Sequence, residues 1–490
     1  MSLRPVVIEQ FPGLDLRRDP GDSAGAIDLA NVTLEPGRVR VRDGSALLAT
    51  LDATNFGVTF MSPVYWGTGT PVTAVVVQNP SGPQLYALKI NGTSVSFSTG
   101  LGSPPNAGAS SVSVGTTSGS FLYVGFTGHV FQWNGTAWSD VTGTIGFNLD
   151  VLALSPTDNR LVACTVDTVR FSNPGAPTTF AANNFVLLTP GDGEYIQSAV
   201  TFNNQVFIFK NTKFFVFYGN STDSTGSPIF NYRAVASGIG VRPGNVAINP
   251  HPQSVCVADD GVYFIGARGI YRTTGGAPVL MSQKIQPYFN FVANSYWQGG
   301  SWPAFSDAER LMWLDGKLYF STGTGIFVWD RDLDAWSWWN LPVGGLGSLP
   351  HQVTSGDPAV LCYGSAAAVG ASTTVKRMDL TLTADAGTAI VSRYRLPFET
   401  YGTPGEKRMR EVIVEGSGAL TVGVTAYWSS TGITKALALG IAPAINDDRM
   451  HNAWRGRAFS LQLSAASGAW SVNRVQASVA DAVRPVNVTV

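Results

Sequence analysis

Apolar residues come in short runs of four to six, rich in Val, Phe, Tyr and Trp, and the runs are separated by Gly, Asn-Gly or Asp-Gly. A 3.6-residue periodicity is nearly absent, so the chain reads as all-β. Asn91-Gly92, Asn134-Gly135, Asp260-Gly261 and Asp315-Gly316 are turn formers, because these residue types tolerate positive φ.

Aligning the runs exposes a repeat. Leu122-Tyr-Val is followed eight residues later by Val130-Phe-Gln-Trp133. The same offset joins Leu161 to Val169, Val206 to Phe214, Val262 to Ile270 and Leu318 to Ile326. Looser copies flank these five, at Val75 with Leu85 and at Val360 with Val375. Successive units start 39 to 56 residues apart, a loose propeller-blade period. A lone hairpin cannot bury its apolar face, whereas radial stacking buries every face and leaves only short edges. The expectation is a β-propeller of about seven blades, with six or eight as alternatives and the N-terminal arm as a candidate to complete one blade. A pair of β-sandwiches is the competing fold.

The flanks differ in character. Residues 1–45 are turn-rich and hold six basic and seven acidic residues, which suggests an extended arm ending in a strand. From residue 390 the balance shifts to 11 basic and 7 acidic, and segments such as Leu420–Tyr427 and Ala458–Leu463 alternate apolar and polar. That alternation is the pattern of strands solvated on one face, as in a small β-sandwich. The division expected is an arm and strand over 1–50, a propeller over 51–388 and a sandwich-like domain over 389–490.

Composition narrows the function. The 490 residues carry 32 Lys+Arg against 33 Asp+Glu, and charged residues are only 13%. That balance argues against a protein that grips nucleic acid or a membrane surface electrostatically. Three isolated cysteines form no disulfide framework, and no secretion signal or membrane-length apolar run is visible. A soluble protein made in a reducing compartment is expected.

The search for chemistry finds little. The four histidines, His129, His251, His351 and His451, are far apart in sequence and read as turn or strand residues. Asp330-x-Asp332-x-Asp334 starts like a calcium loop, but Ala335 and Leu341 stand where Gly and Glu belong, so a turn cap is the better reading. Trp329, Trp336, Trp338 and Trp339 suggest either a sugar platform or core, with alternation favouring core. The acidic turn Asp192 and Glu194 beside Gln197 does not make a site by itself. No nucleophile elbow, phosphate loop or acid/base pair stands out, so no enzyme activity, cofactor or metal is expected.

Three stretches look familiar. They are Phe11-Pro-Gly-Leu-Asp-Leu-Arg-Arg-Asp-Pro-Gly, then Ala30-Asn-Val-Thr-Leu, then Gly37-Arg-Val-Arg-Val-Arg-Asp-Gly44. They resemble the opening of the hub, or nozzle, proteins of short-tailed bacteriophages, the proteins that retain packaged DNA and complete head-to-tail joining. Arg395-Leu-Pro-Phe-Glu, Lys407-Arg-Met-Arg-Glu-Val and Arg455-Gly-Arg-Ala-Phe are similar to that family's C-terminal part. The resemblance implies a structural virion protein made in the host cytoplasm and assembling into a cyclic homohexamer in the phage tail. Its partners would be a head-to-tail adaptor, fibres or spikes, a tip or plug protein, and genomic DNA that passes without tight binding and is later ejected; membrane insertion is not implied. A charge-poor surface suits such a slippery conduit. Arg17, Arg18, Arg38, Arg40 and Arg42 are the candidates for intersubunit pairing. Lys407, Arg408, Arg410, Arg455 and Arg457 form a second candidate cluster, with a cross-strand charge ladder as the simpler reading. A carbohydrate-binding propeller module is the alternative function.

Overall fold

The computed structural model describes residues 4–17, 25–52, 57–67, 70–78, 82–101, 108–116, 118–149, 151–222, 228–235, 238–243, 250–290, 309–350, 359–366, 372–399, 407–427, 436–440, 448–456 and 458–481. The protein is all-β, a propeller joined to a β-sandwich. Among the described residues no helix is long and apolar enough to cross a membrane.

Among the described residues seven sheets, antiparallel but for one parallel bridge in the last, form the propeller. Blades 1 to 6 are local meanders whose inner strands are Val58–Met61, Ser110–Thr116, Val151–Ser155, Ser198–Phe202, Val255–Ala258 and Arg310–Leu314. The eight-residue offset read from the sequence is a shared hairpin register. Leu122 pairs with Trp133, Val206 with Phe217, Val262 with Thr273 and Leu318 with Trp329, eleven positions on in each case. Asp315 (φ 48°) and Gly316 (φ 71°) make one of the expected tight turns with positive φ at both positions.

Blade 7 is built differently. Val343–Pro350, Ala359–Ser365 and Thr373–Asp379 come from the end of the propeller segment, but the next strand is Gly44–Asp52. Joining a strand from each end of the segment closes the wheel, and the inner strand of blade 7 packs against that of blade 1. Apolar wedges fill the gaps between blades. Phe171, Phe215, Phe217 and Phe230 lie between blades 3 and 4, and Phe209, Phe214 and Phe264 between blades 4 and 5.

The sandwich draws on both ends of the chain. One sheet runs Val32–Glu35, Arg38–Val41, Trp470–Asp481, Lys407–Gly418, Asp448–Gly456, with Arg4–Ile8 also pairing to Trp470–Asp481. The other runs Asp28–Ala30, Ser392–Arg395, Ala458–Ala465, Thr421–Tyr427, Ala436–Gly440. The described strands among residues 1–50 are therefore shared out between the sandwich and blade 7. One apolar core runs from Leu14, Leu29 and Val39 of the arm through Trp336 and Trp338 of blade 6 to Tyr394, Phe459 and Trp470 of the sandwich.

Candidate functional site

Two polar constellations stand out, one at the propeller–sandwich junction and one at the propeller centre. The junction is built by the arm. Asn31 sits in the left-handed region (φ 54°), which Asn enters more readily than most residues. Its amide N–H donates to Trp338 O at 2.8 Å and its Nδ2 to Val391 O at 2.8 Å. Its Oδ1 accepts from the Asn340 amide at 2.8 Å and from Arg42 Nε at 3.1 Å. One side chain thus holds blade 6, the sandwich and the arm's last strand together.

Arg42 completes the knot. Its side chain is 1% exposed, forks onto Asp385, donates to Asp43 O at 2.9 Å and lies over the Trp339 ring at 5.8 Å. Ser45 donates to the same carboxylate at 3.0 Å and shares a hydrogen bond with Tyr363 of blade 7. Burial pushes the Tyr363 hydroxyl up to about 12, with the Asp385 charge adding to it. Nearby, Asp28 pairs with Arg393, while Asp15 receives Arg17 Nη2 at 2.8 Å. Burial works to raise the Asp15 carboxyl, but the hydrogen bonds from Arg17 outweigh it and hold it below the usual range.

The second constellation closes one mouth of the propeller. His251–Ser254 lies where the inner strands begin. The His251 amide donates to Gln197 O at 2.9 Å beside blade 4, and Ser198 Oγ donates to Pro252 O at 3.2 Å. Gln253 Nε2 reaches Thr59 O of blade 1 at 3.3 Å. Pro252 lies against Gly108 just ahead of blade 2, where a Cβ would come within 2.6 Å of its ring. His251 Nε2 lies 3.1 Å from Glu309 O beside blade 6, and since a carbonyl only accepts, Nε2 carries the proton. A segment that touches blades 1, 2, 4 and 6 spans the axis. Under it, Arg242 pairs with Glu309 at 2.7 Å and Arg310 Nη2 donates to Thr59 O at 3.2 Å. Burial, and then the charges of Arg310 and Arg242, push the His251 imidazole down to about 3. His251 is therefore neutral, a structural member of the plug.

A third polar knot, between blades 3 and 4, joins the acidic turn at Asp192 to a lysine that the sequence did not bring forward. Lys210 is fully buried and donates to Asp167 at 2.6 Å, Asp192 at 2.9 Å and Leu188 O at 2.9 Å. Burial works to raise the Asp192 carboxyl, yet hydrogen bonds from Thr189, Lys213 and Lys210 hold it well below the usual range. The available signal was a lysine directly after the apolar run Val206–Phe209. A charge in that position needs carboxylates folded over it.

The remaining candidates take structural places. Arg38 lies 3.7 Å from Glu35, and Arg40 forks between Glu35 and Asp43. Arg42 and Lys407 are buried within the chain, where desolvation favours partners from the same molecule. Arg408, Arg410 and Arg455 lie in the strands Lys407–Gly418 and Asp448–Gly456, outside the described side chains, and Arg18 and Arg457 lie outside the described residues. His129 approaches Asp140 at 3.4 Å. His351 is outside the described residues, and so is the His451 side chain. Asp330 Oδ1 accepts the amides of Asp332 and Leu333, and Asp334 binds Trp329 Nε1 at 3.1 Å and Lys284 at 2.9 Å, so this run caps a turn. Trp329, Trp336, Trp338 and Trp339 are all buried, so they present no ring face to a sugar.

No protein-family model matches the chain, and no curated protein matches it. Among the solved structures that match is the crystal structure of BBS1N in complex with ARL6DN, soaked with lead. It aligns at a TM-score of 0.38 and 12% identity, over 76% of this chain and 98% of that chain.

Proposed function

We propose that the chain is a structural subunit of a phage tail hub, assembling with copies of itself into a ring below the head-to-tail adaptor. The observation that carries this reading is the use made of the arm residues that bear the resemblance. Asp15, Asn31 and Arg42 make their side-chain hydrogen bonds within the chain. Asn31 and Arg42 tie propeller, closing strand and sandwich together, while Asp15 holds Arg17 within the arm. Motif residues devoted to rigidity suit a load-bearing subunit.

The plugged axis adds a constraint. DNA leaving a head cannot thread a propeller whose mouth is closed by His251–Ser254, so its path lies between copies, along the flanks of the wheels. A near-neutral chain suits that path, because few neutralised phosphates mean little salt-dependent grip. Light scattering and negative-stain class averages of the purified protein, alone and with its adaptor, test the proposal. A cyclic particle is expected; a monomer that also ignores the adaptor would overturn it.

A further inference from the structure

A lysine shut away from water becomes a nucleophile once a neighbour takes its proton. Lys210 directly follows the blade 4 strand Gln205–Phe209, and its side chain is fully buried. Asp167 reaches it from blade 3, where Val166 and Asp167 form the turn between Arg160–Thr165 and Thr168–Phe171. Asp167 Oδ1 lies 2.6 Å from Lys210 Nζ, and Asp192 Oδ1 lies 2.9 Å from it. The backbone around these groups is strained. Val166 (φ 40°) and Thr189 (φ 43°) both sit in the left-handed region, where β-branched residues are outliers. Val166 precedes Asp167, while Thr189 Oγ1 accepts from Lys210 and donates to Asp192. Strain of this kind gathers at functional sites, where the surrounding structure holds groups in place against it.

The two carboxylates have different surroundings. Asp192 also accepts from Thr189, Lys213 and the Glu194 amide, which keep it ionised and so a poor electrophile. Asp167 makes the shorter contact with Lys210, and its other oxygen, Oδ2, faces the Gly191 amide at 3.4 Å. That N–H is aimed at the atom on which negative charge collects when the Asp167 carboxyl carbon is attacked.

We infer that Lys210 and Asp167 join in an intramolecular isopeptide bond, with Asp192 as the proton carrier. The ammonium first passes a proton to Asp167 Oδ1, leaving an amine beside a carboxylic acid, a neutral pair that is less costly to bury than two ions. The amine attacks Asp167 Cγ, and the charge that develops on Oδ2 meets the Gly191 N–H. Asp192 takes a second proton from the nitrogen and gives it to the Oδ1 hydroxyl, which leaves as water. One N–C and two O–H bonds replace one C–O and two N–H bonds, so no oxidant or further reactant is needed. Asp167 is 18% exposed, which gives the water a way out. The amide fastens blade 3 to blade 4 covalently, and it stands whether or not the ring proposed above forms.

Mass spectrometry of the purified full chain tests it. The wild type should weigh less than its sequence by one water. A tryptic digest should contain Leu161–Arg170 joined to Phe171–Lys213, with no cut after Lys210. Lys210→Arg keeps the charge but should restore the full sequence mass, and Asp192→Asn should do the same by removing the proton carrier. Asp167→Asn should instead lose one ammonia, because the lysine nitrogen then displaces a side-chain amide. Circular dichroism checks that each variant folds. A wild type at its full sequence mass overturns the bond. A water loss that survives Asp167→Ala overturns the choice of Asp167, and one that survives Asp192→Asn overturns the role given to Asp192.

Discussion

Lowering the pH should destabilise the fold, and His251 sets the size of the effect. Its imidazole is buried, donates to Glu309 O, and lies near the charges of Arg310 and Arg242. The folded protein holds it down at about 3, against an ordinary value of 6.5. As pH falls, the unfolded chain takes up this proton first, so stability is full above pH 6.5 and declines from there towards pH 3. Each pH unit within that window is worth about 1.4 kcal/mol for one proton. Between pH 7.5 and pH 5 the loss comes to about 2 kcal/mol, and it would be nearly the same if the folded value were a unit higher. His251→Gln keeps an N–H donor for Glu309 O but cannot titrate. Denaturant midpoints for wild type and variant at the two pH values isolate the effect, since the carboxylates common to both cancel in the difference. The wild type should lose about 2 kcal/mol more than the variant over this interval. Parallel losses in the two proteins would refute the assignment of a buried neutral imidazole.

Other outcomes follow from the same physics. Arg42→Leu strands the Asp385 carboxylate beside Ser45 and should destabilise by about 3–5 kcal/mol, seen as an early thermal transition; the double variant with Asp385→Asn should recover part of that loss. Asn31→Ala removes three side-chain hydrogen bonds and places a Cβ residue without a compensating amide at φ 54°, so a loss of about 2–4 kcal/mol is expected, and Asn31→Gly should relieve only the backbone part. Gly44→Val puts a Cβ 2.3 Å from Ala384 O, and limited proteolysis should find the closing strand released from blade 7. Trp338→Ala should cost about 3–5 kcal/mol in thermal stability through the cavity it leaves, with no selective change in glycan-array binding.

How much of this was legible in the chain depends on how far apart the contacting residues are. Blades 2 to 6 could be read because a hairpin is local: eight residues from strand to strand fix which side chains face each other, and Gly or Asn-Gly marks the turn. The sandwich strands were visible as alternation, since one face of each meets water. The plug was hidden, because no local pattern separates a proline-flanked histidine that crosses an axis from one in an ordinary loop.

Length and repeat alone determined an all-β chain of stacked hairpins, because burying each hairpin's apolar face requires a neighbour of the same build. Which strand closes the wheel was decided only by tertiary structure. Gly44–Asp52 pairs with Thr373–Asp379 across more than 300 residues, and an exposed arm and a closing strand share the same composition until that partner arrives. The same holds for Arg42 and Lys407. A basic residue in sequence looks like a surface contact; only tertiary structure buries both, and for Arg42 it supplies the Asp385 carboxylate from a distant segment.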